Sequence, residues 1–268
     1  MKWTYALFSC LLLSKAAIAG SQQQQKQTFP VEDVTAFAKQ VEHYAAKKGA
    51  RAFIIARMGQ AKKDLPKGVN FTHSALAVYS EIALDNGETA KGYAIYNLYQ
   101  EPKDKDKSSL VTDYPVDFFW GVPELTAGII IPDSDLQSRL IEAVVNGNNV
   151  TLHNSNYSLI SNPYTTKYQN CNEHLLDLIN SAIYQTTDKQ QLKANTKAYF
   201  KPQRIRVNRA KLAMGNLFMD GVSTDDHGTK IYTTTFTSIA KYLSSYDLAS
   251  NAITLSYNQP ARQLLASN

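Results

Sequence analysis

Hydrophobic residues recur at helical spacing in several parts of the chain and predict a series of amphipathic helices. Over residues 31–48, Val34, Phe37, Ala38, Val41 and Tyr44 fall on one helical face. Similar spacing and capping residues predict further helices, which run from Asp133 or Ser134 to about Val145, from Cys171 to about Tyr184, over 189–199 and over 233–244.

Other apolar stretches are short and bounded by turn residues, which is typical of strands. Residues 71–82 do not alternate cleanly between apolar and polar, which suits a central strand covered on both sides. Asp85-Asn86-Gly87 then predicts a hairpin turn. The predicted strands are 50–58, 71–82, 91–99, 126–131 and 252–257. We therefore expect an α+β domain with an antiparallel sheet at its centre.

The first residues have the pattern of an export signal. Lys2 precedes a short apolar core, and small residues follow at 17–19. We expect a signal peptide over 1–19, a flexible Gln-rich leader over 20–30 and one domain with helical additions over 31–268. The mature protein would be exported, to the periplasm or outside the cell. No later stretch has the roughly 18 apolar residues of a transmembrane helix.

The net charge of the chain gives no reason to expect nucleic acid as a partner. The chain carries 28 Lys and Arg against 23 Asp and Glu, and loss of Lys2 and Lys15 with the signal lowers the net charge from +5 to +3. This excess is too small to imply nucleic-acid binding. The cluster of Arg204, Arg206 and Arg209 is interpreted as a solvated face.

Cys171 is the one cysteine that would remain after signal cleavage. It lies where a helix is predicted to begin, and the positive end of a helix stabilises a thiolate. Oxidising compartments usually pair cysteines or do without them, so an unpaired thiol in an exported protein needs a reason.

A nucleophilic thiol requires a base, and the five histidines differ in context. His73 begins a predicted strand with apolar surroundings, which would hold its ring rigidly. The remaining histidines are His43 on the first helix, His153 in a polar loop, His174 three residues after Cys171 and His227 in an Asp-Asp-His turn.

Several separated segments together are similar to known families. They are 56–60 (A-R-M-G-Q), 72–75 (T-H-S-A), 157–163 (Y-S-L-I-S-N-P), 168–172 (Y-Q-N-C-N) and 225–227 (D-D-H). The histidine strand and the Asn-Cys helix start resemble the circularly permuted branch of the NlpC-type, papain-like superfamily. The set of segments, over residues 51–243, resembles more closely a secreted bacterial family known only as a domain of unknown function.

The resemblance implies a papain-like fold in which the cysteine helix packs on the sheet. It implies Cys171 as nucleophile and His73 as base, with the third group on the strand 91–99, where Asn97 is the best candidate and Gln100 lies behind it. Backbone N–H groups at the helix start could bind an oxyanion. Further candidates for the substrate or oxyanion are Tyr168, Asn170, Tyr157 and Arg57.

Simpler structural interpretations stand beside these. Cys171 could be a small buried apolar residue and His73 a satisfied core histidine. Arg57 could bind a substrate carboxylate, but we favour a buried ion pair. Three adjacent residues, Asp225, Asp226 and His227, cannot easily surround one ion, so we expect no metal and a turn that anchors the late helix.

The sequence thus leaves three functions open. The first is a cell-envelope thiol hydrolase or acyltransferase, a cysteine peptidase or amidase, acting without cofactor on an amide or ester bond. The expected partner is a small molecule, peptide or glycopeptide of the envelope, with a peptidoglycan peptide favoured. The second is a non-catalytic binding or scaffolding domain that retains the papain-like shape. The third, a redox sensor, is weaker because no resolving cysteine would remain.

Overall fold

The computed structural model describes residues 26–66, 68–83, 86–206 and 221–265. Within these ranges the helices are α1 Val31–Lys47, α2 Pro115–Phe118, α3 Ser134–Val145, α4 Asn148–Leu152, α5 Cys171–Tyr184, α6 Lys189–Tyr199 and α7 Phe236–Ser245. The strands are β1 Ala52–Arg57, β2 His73–Ala83, β3 Thr89–Gln100, β4 Ser108–Asp113, β5 Thr126–Pro132, β6 Gln203–Ile205, β7 Ile231–Thr233, β8 Ala249–Ser256 and β9 Arg262–Gln263.

Seven of these strands form one sheet in the order β4-β3-β2-β1-β5-β8-β9. Each pair of neighbours is antiparallel. Strands β6 and β7 form a separate antiparallel pair. The predicted α+β class with a large central antiparallel sheet is therefore confirmed.

Helices cover both faces of the sheet. One apolar core lies between helices α3, α5 and α7 and one face of the sheet. On the central strands every second side chain, such as Ile54 and Leu76, points into this core. The other joins α1 and α2 to the intervening side chains, such as Ile55 and Ala75. Because successive side chains of a strand point to opposite faces, β1 and β2 are buried on both sides, as expected for 71–82.

Capping residues set the helix starts that matter for the site. Asp133 caps α3 by accepting hydrogen bonds from the N–H groups of Asp135 and Leu136. Asn170 caps α5 by accepting one from the N–H of Glu173. These contacts satisfy donors that have no partner inside the helix. Helix α5 begins at Cys171, as predicted.

Several short elements were not predicted. Strand β4 and the four-residue α2 are among them. The two-residue β9 and the three-residue β6 and β7 are too short for a periodic signal. The predicted signal peptide, Asp85 of the hairpin turn and Arg209 lie outside the described residues. None of the described helices combines the length and apolarity that crossing a bilayer requires.

Candidate active site

Cys171 lies at the first position of α5 and is 3 % exposed. It packs with Leu98 of β3 and with Tyr157. Its Sγ lies 3.9 Å from the carbonyl oxygen of Thr72, the residue before β2. Asn172 donates from Nδ2 to Sγ over 3.6 Å, and its Oδ1 accepts a 2.7 Å bond from Ser74 Oγ. The thiol is therefore held between the helix start and the beginning of the histidine strand.

His73 begins β2 and is fully buried. Its Nε2 lies 2.9 Å from Asn97 Oδ1 on the neighbouring strand β3. The structure thus brings together the histidine and the third group that were expected to pair. The other ring nitrogen, Nδ1, is buried and has no hydrogen-bond partner among the described residues. A ring held at Nε2 leaves Nδ1 open to a further hydrogen bond.

Aromatic and cationic groups surround the His73 ring. The Tyr99 ring stacks on it at 4.8 Å between centroids, and Phe118 lies at 5.6 Å. Arg57, directly across from His73 on β1, is fully buried and donates from Nη1 to the Phe118 carbonyl over 2.7 Å. Burial first, and then the Arg57 charge, lower the pKa of His73 to about 3, although the Asn97 bond raises it. The imidazole is therefore neutral at physiological pH.

The structure does not join Cys171 to His73 by a hydrogen bond. His73 has the same parity on β2 as Ala75 and packs with Phe118 of the α2 face. Leu98, against which Cys171 packs, points to the opposite side of β3 from Asn97. The thiol reaches the histidine strand at the Thr72 carbonyl and not at the ring. The His73 ring and the helix that carries the thiol therefore lie on opposite faces of the sheet.

The candidates for binding substrate or oxyanion are Asn170, Tyr157 and Tyr168, and each makes different contacts. Asn170 donates from Nδ2 to the Leu159 carbonyl and the Thr233 hydroxyl, so its side chain serves the cap and the loop and is not open to an oxyanion. Tyr157 is buried beside Cys171. Tyr168 is half-buried and donates its hydroxyl to Asp225 over 3.2 Å.

Gln100, the reserve candidate for the third group, does not face His73. Its Nε2 donates to the Lys105 carbonyl over 2.8 Å. Arg57 stacks against rings, with its Cζ 5.2 Å from the centre of Phe118. The guanidinium is thus part of the buried surroundings of His73, and the buried ion pair that we favoured from the sequence stays a prediction.

The Asp-Asp-His turn fastens the loop that precedes α5. Asp226 accepts from the Asn162 N–H over 2.8 Å, and His227 Nε2 lies 2.8 Å from the Ile160 carbonyl. Asp225 forms a 2.7 Å ion pair with Lys167. These bonds hold residues of the loop before α5, whereas we expected the turn to anchor the late helix. In the described part of the chain no group of three or more potential ligands is placed to hold a metal ion.

A buried ion-pair network lies one turn along α5. Lys193 of α6 donates to Glu173 Oε1 over 2.7 Å and to Asp177 Oδ1 over 2.8 Å. Burial and then the Lys193 charge act on Glu173 in opposite directions, and the net effect is a raised pKa. The three residues of this network also line a polar cavity of about 440 Å³. Other residues in its lining are Asn154, Asn156, Tyr168, Gln169 and Lys189.

Sequence reasoning missed four residues around the candidate pair. Tyr99 shares a face of β3 with Asn97, so strand parity could have indicated it. Ser74 and Asn172 each adjoin a candidate, but nothing in the sequence shows that they bond to each other. Asp113, which binds Asn97 and Tyr99, lies on the unpredicted strand β4 and had no signal.

Comparison with known proteins gives a family without an assigned activity. No curated protein and no solved structure matches the chain. The profile of a family described as an uncharacterized protein conserved in bacteria (DUF2145) matches residues 44–243. The expected kinship to an uncharacterised bacterial family is confirmed, and the match carries no link to the NlpC-type superfamily. Since the match covers more than half of its 268 residues, the chain belongs to this DUF2145 family.

Proposed function

We propose that this protein is a thiol hydrolase or acyltransferase of the cell envelope, with Cys171 as nucleophile, His73 as general base and Asn97 as the group that orients the base. The observation that carries the proposal is the His73 ring. It is neutral, bonded to Asn97 through Nε2, and its buried Nδ1 has no hydrogen-bond partner among the described residues. A bare buried Nδ1 is shared by His174, so what distinguishes His73 is the combination of this open nitrogen with a ring oriented by Asn97.

The chemistry follows from these groups. Cys171 Sγ forms a bond to the carbonyl carbon of an amide or ester while its proton passes to His73 Nδ1, a transfer that requires the start of α5 to move toward the His73 side of the sheet when substrate binds. The carbonyl electrons move to oxygen, where the backbone N–H of Asn172 at the helix start can stabilise them. Collapse breaks the C–N or C–O bond, and His73 returns the proton to the leaving amine or alcohol. Water then hydrolyses the thioester with His73 again as base, or a second acceptor takes the acyl group.

The order of elements along the chain is a second support. The histidine strand precedes the cysteine helix in the chain, the order expected of the circularly permuted NlpC-type branch. Helix α5 packs through Leu175, Leu176 and Ile179 on the sheet that contains β2. Together with the predicted export signal, this favours an envelope acyl bond, and among those a peptidoglycan peptide amide.

Thiol alkylation with iodoacetamide tests the pair directly. We expect Cys171 in the folded protein to react at pH 7, and His73→Gln to slow the reaction at least tenfold because the base is lost. His174→Gln is the matched control, since His174 is also buried with a bare Nδ1 and lies three residues from Cys171. It should leave the rate within twofold. Circular dichroism establishes that each variant is folded.

Turnover is then measured on purified muropeptides by mass spectrometry, with Cys171→Ala beside the native protein. Loss of an amide bond that requires Cys171 is the expected result. Labelling of Cys171 only after unfolding, or equal rates in His73→Gln and the native protein, would contradict the proposal.

One observation favours a second candidate, a binding domain without catalysis. Cys171 is 3 % exposed, and the polar cavity beside α5 is separate from it. On this alternative the cavity holds a polar envelope peptide or glycan and the thiol is structural. Muropeptide binding that survives Cys171→Ala, weakens in Asn156→Ala and occurs without cleavage would favour it.

A further inference from the structure

The side-chain amide of Asn97 has a fixed orientation. Its Nδ2 donates to the Ile95 carbonyl over 3.1 Å and to Asp113 Oδ2 over 3.3 Å. Both of these partners accept hydrogen bonds, so the amide nitrogen must face them. The amide oxygen consequently faces His73 Nε2, at 2.9 Å.

This orientation determines which nitrogen of His73 carries the proton. An amide oxygen can only accept, so Nε2 must be the protonated nitrogen. In a neutral imidazole the other nitrogen then carries a lone pair. That nitrogen is Nδ1, the atom without a hydrogen-bond partner among the described residues.

Asp113 holds this arrangement from behind. It lies at the end of β4 opposite Ile95 and is 4 % exposed. Besides the Asn97 amide, its Oδ2 accepts a 2.5 Å bond from the Tyr99 hydroxyl. The Tyr99 ring is stacked on His73 with only 15° between the planes. One carboxylate therefore contacts both the amide that bonds the imidazole and the ring that packs on its face.

We propose that Asp113 is a positioning residue, which fixes His73 as the Nε2–H tautomer through Asn97 and fixes the plane of its ring through Tyr99. The tautomer does not depend on any activity. Its consequence for thiol chemistry rests on the function proposed above, because the Nδ1 lone pair is the group that would take the Cys171 proton.

The test replaces Asp113 by Asn in the full-length protein. The new amide can donate as well as accept, so of the two acceptors that fix Asn97 only the Ile95 carbonyl remains, and Asn97 can turn to present its own NH₂ to Nε2. In protein labelled with ¹⁵N-histidine, two-bond proton–nitrogen correlations show which ring nitrogen carries the proton, and His73→Gln assigns the signals. We expect only the Nε2–H form in the native protein and a mixture, or the Nδ1–H form, in Asp113→Asn.

Tyr99→Phe is the matched control. It removes the other hydrogen bond of Asp113 and keeps the stacked ring and the Asn97 link, so the Nε2–H form should persist. If Asp113→Asn does not fold, Asn97→Ala breaks the same link without changing the carboxylate and should release the tautomer. A folded Asp113→Asn or Asn97→Ala variant that retains a pure Nε2–H form overturns the proposal.

The alkylation rate separates this inference from the proposed function. If both hold, Asp113→Asn slows Cys171 alkylation roughly tenfold while Tyr99→Phe changes it less. If Asp113 sets the tautomer but the rate does not follow it, the positioning role stands and the thiol mechanism fails. A purely structural Asp113 would lower stability and leave the tautomer unchanged.

Discussion

At the scale of single residues, His73 is an ionisable group kept neutral by its surroundings. Burial and the nearby Arg57 lower its pKa to about 3 from an ordinary 6.5. As pH falls, the unfolded chain therefore binds a proton before the folded protein does. The stabilisation from this residue is complete above about pH 6.5 and is lost progressively toward the folded-state pKa.

We expect this loss to be measurable with His73→Gln, which removes the titrating ring and retains an amide able to donate to Asn97. Between pH 7 and pH 5 the free energy of unfolding of the native protein should fall by about 2 kcal/mol relative to the variant. Urea denaturation at the two pH values measures it. Other groups, such as Glu173 with its raised pKa, oppose the trend but cancel in the comparison.

His43→Gln supplies the control, because His43 is exposed on α1. This surface substitution should change the free energy of unfolding by no more than about 0.5 kcal/mol. A native protein and a His73→Gln variant whose stabilities stay parallel from pH 7 to pH 5 would show that His73 is not held neutral by burial.

At the scale of elements, β5 depends on the absence of a side chain at one position. Gly128 pairs with Ala56 of β1 and Thr254 of β8. A Cβ atom there would overlap the ring of Phe236, the first residue of α7, and would lie 3.0 Å from Phe71. These two rings pack edge to face at 5.0 Å. The glycine therefore lets α7 approach the sheet.

Gly128→Ala should consequently destabilise the protein by about 1–3 kcal/mol, since an interior that is already filled must shift to accept a methyl group. Thermal and urea denaturation measure the change. Gly228→Ala is the matched control, because a Cβ at that turn would meet nothing within 4 Å. Equal stability of both variants would mean that α7 docks more loosely than the packing indicates.

The same scale shows how far the sequence predicted the site. The two strands on either side of Asn86-Gly87 were predicted as a hairpin, and β2 and β3 do pair in register from Leu76–Tyr96 to Ala83–Thr89. A hairpin brings its two outer ends together, so the proximity of His73 and Asn97 could be inferred from local pattern. The start of α5 was equally accessible, because Asn170 is a strong cap.

Longer-range features were beyond local pattern. Strand β4 follows a charged run and is six residues long, so neither it nor Asp113 had a distinct signal. A strand buried on both faces does not reveal which helix covers which side. Nothing in the sequence therefore showed that α5 packs on the face of the sheet opposite the His73 ring. This placement separates Cys171 from His73, and no hydrogen bond joins them.

At the scale of the whole molecule, a buried ionic network connects α5, α6 and the loop before them. Lys193 is 8 % exposed and donates to Glu173 and to both oxygens of Asp177. Asp177 also accepts from Gln169, two residues before Cys171. Two carboxylates thus share one ammonium group in the interior, and the start of the cysteine helix is fixed by the same contacts.

Lys193→Met should therefore destabilise the protein strongly. The change leaves two carboxylates buried next to each other, and breaking a buried pair by removing one partner costs about 3–5 kcal/mol. Lys197→Met on the exposed side of α6 should stay within about 0.5 kcal/mol of the native protein. Urea denaturation at pH 7 compares the two.

The pH dependence of this loss identifies its cause. Without Lys193, a proton on either carboxylate removes the repulsion, so the stability difference between the native protein and Lys193→Met should decrease as pH falls from 7 to 5. Adding Glu173→Gln to Lys193→Met should restore part of the stability at pH 7 for the same reason. If the loss stayed constant with pH and the second substitution restored nothing, lost packing of the lysine stem and not uncompensated charge would explain it.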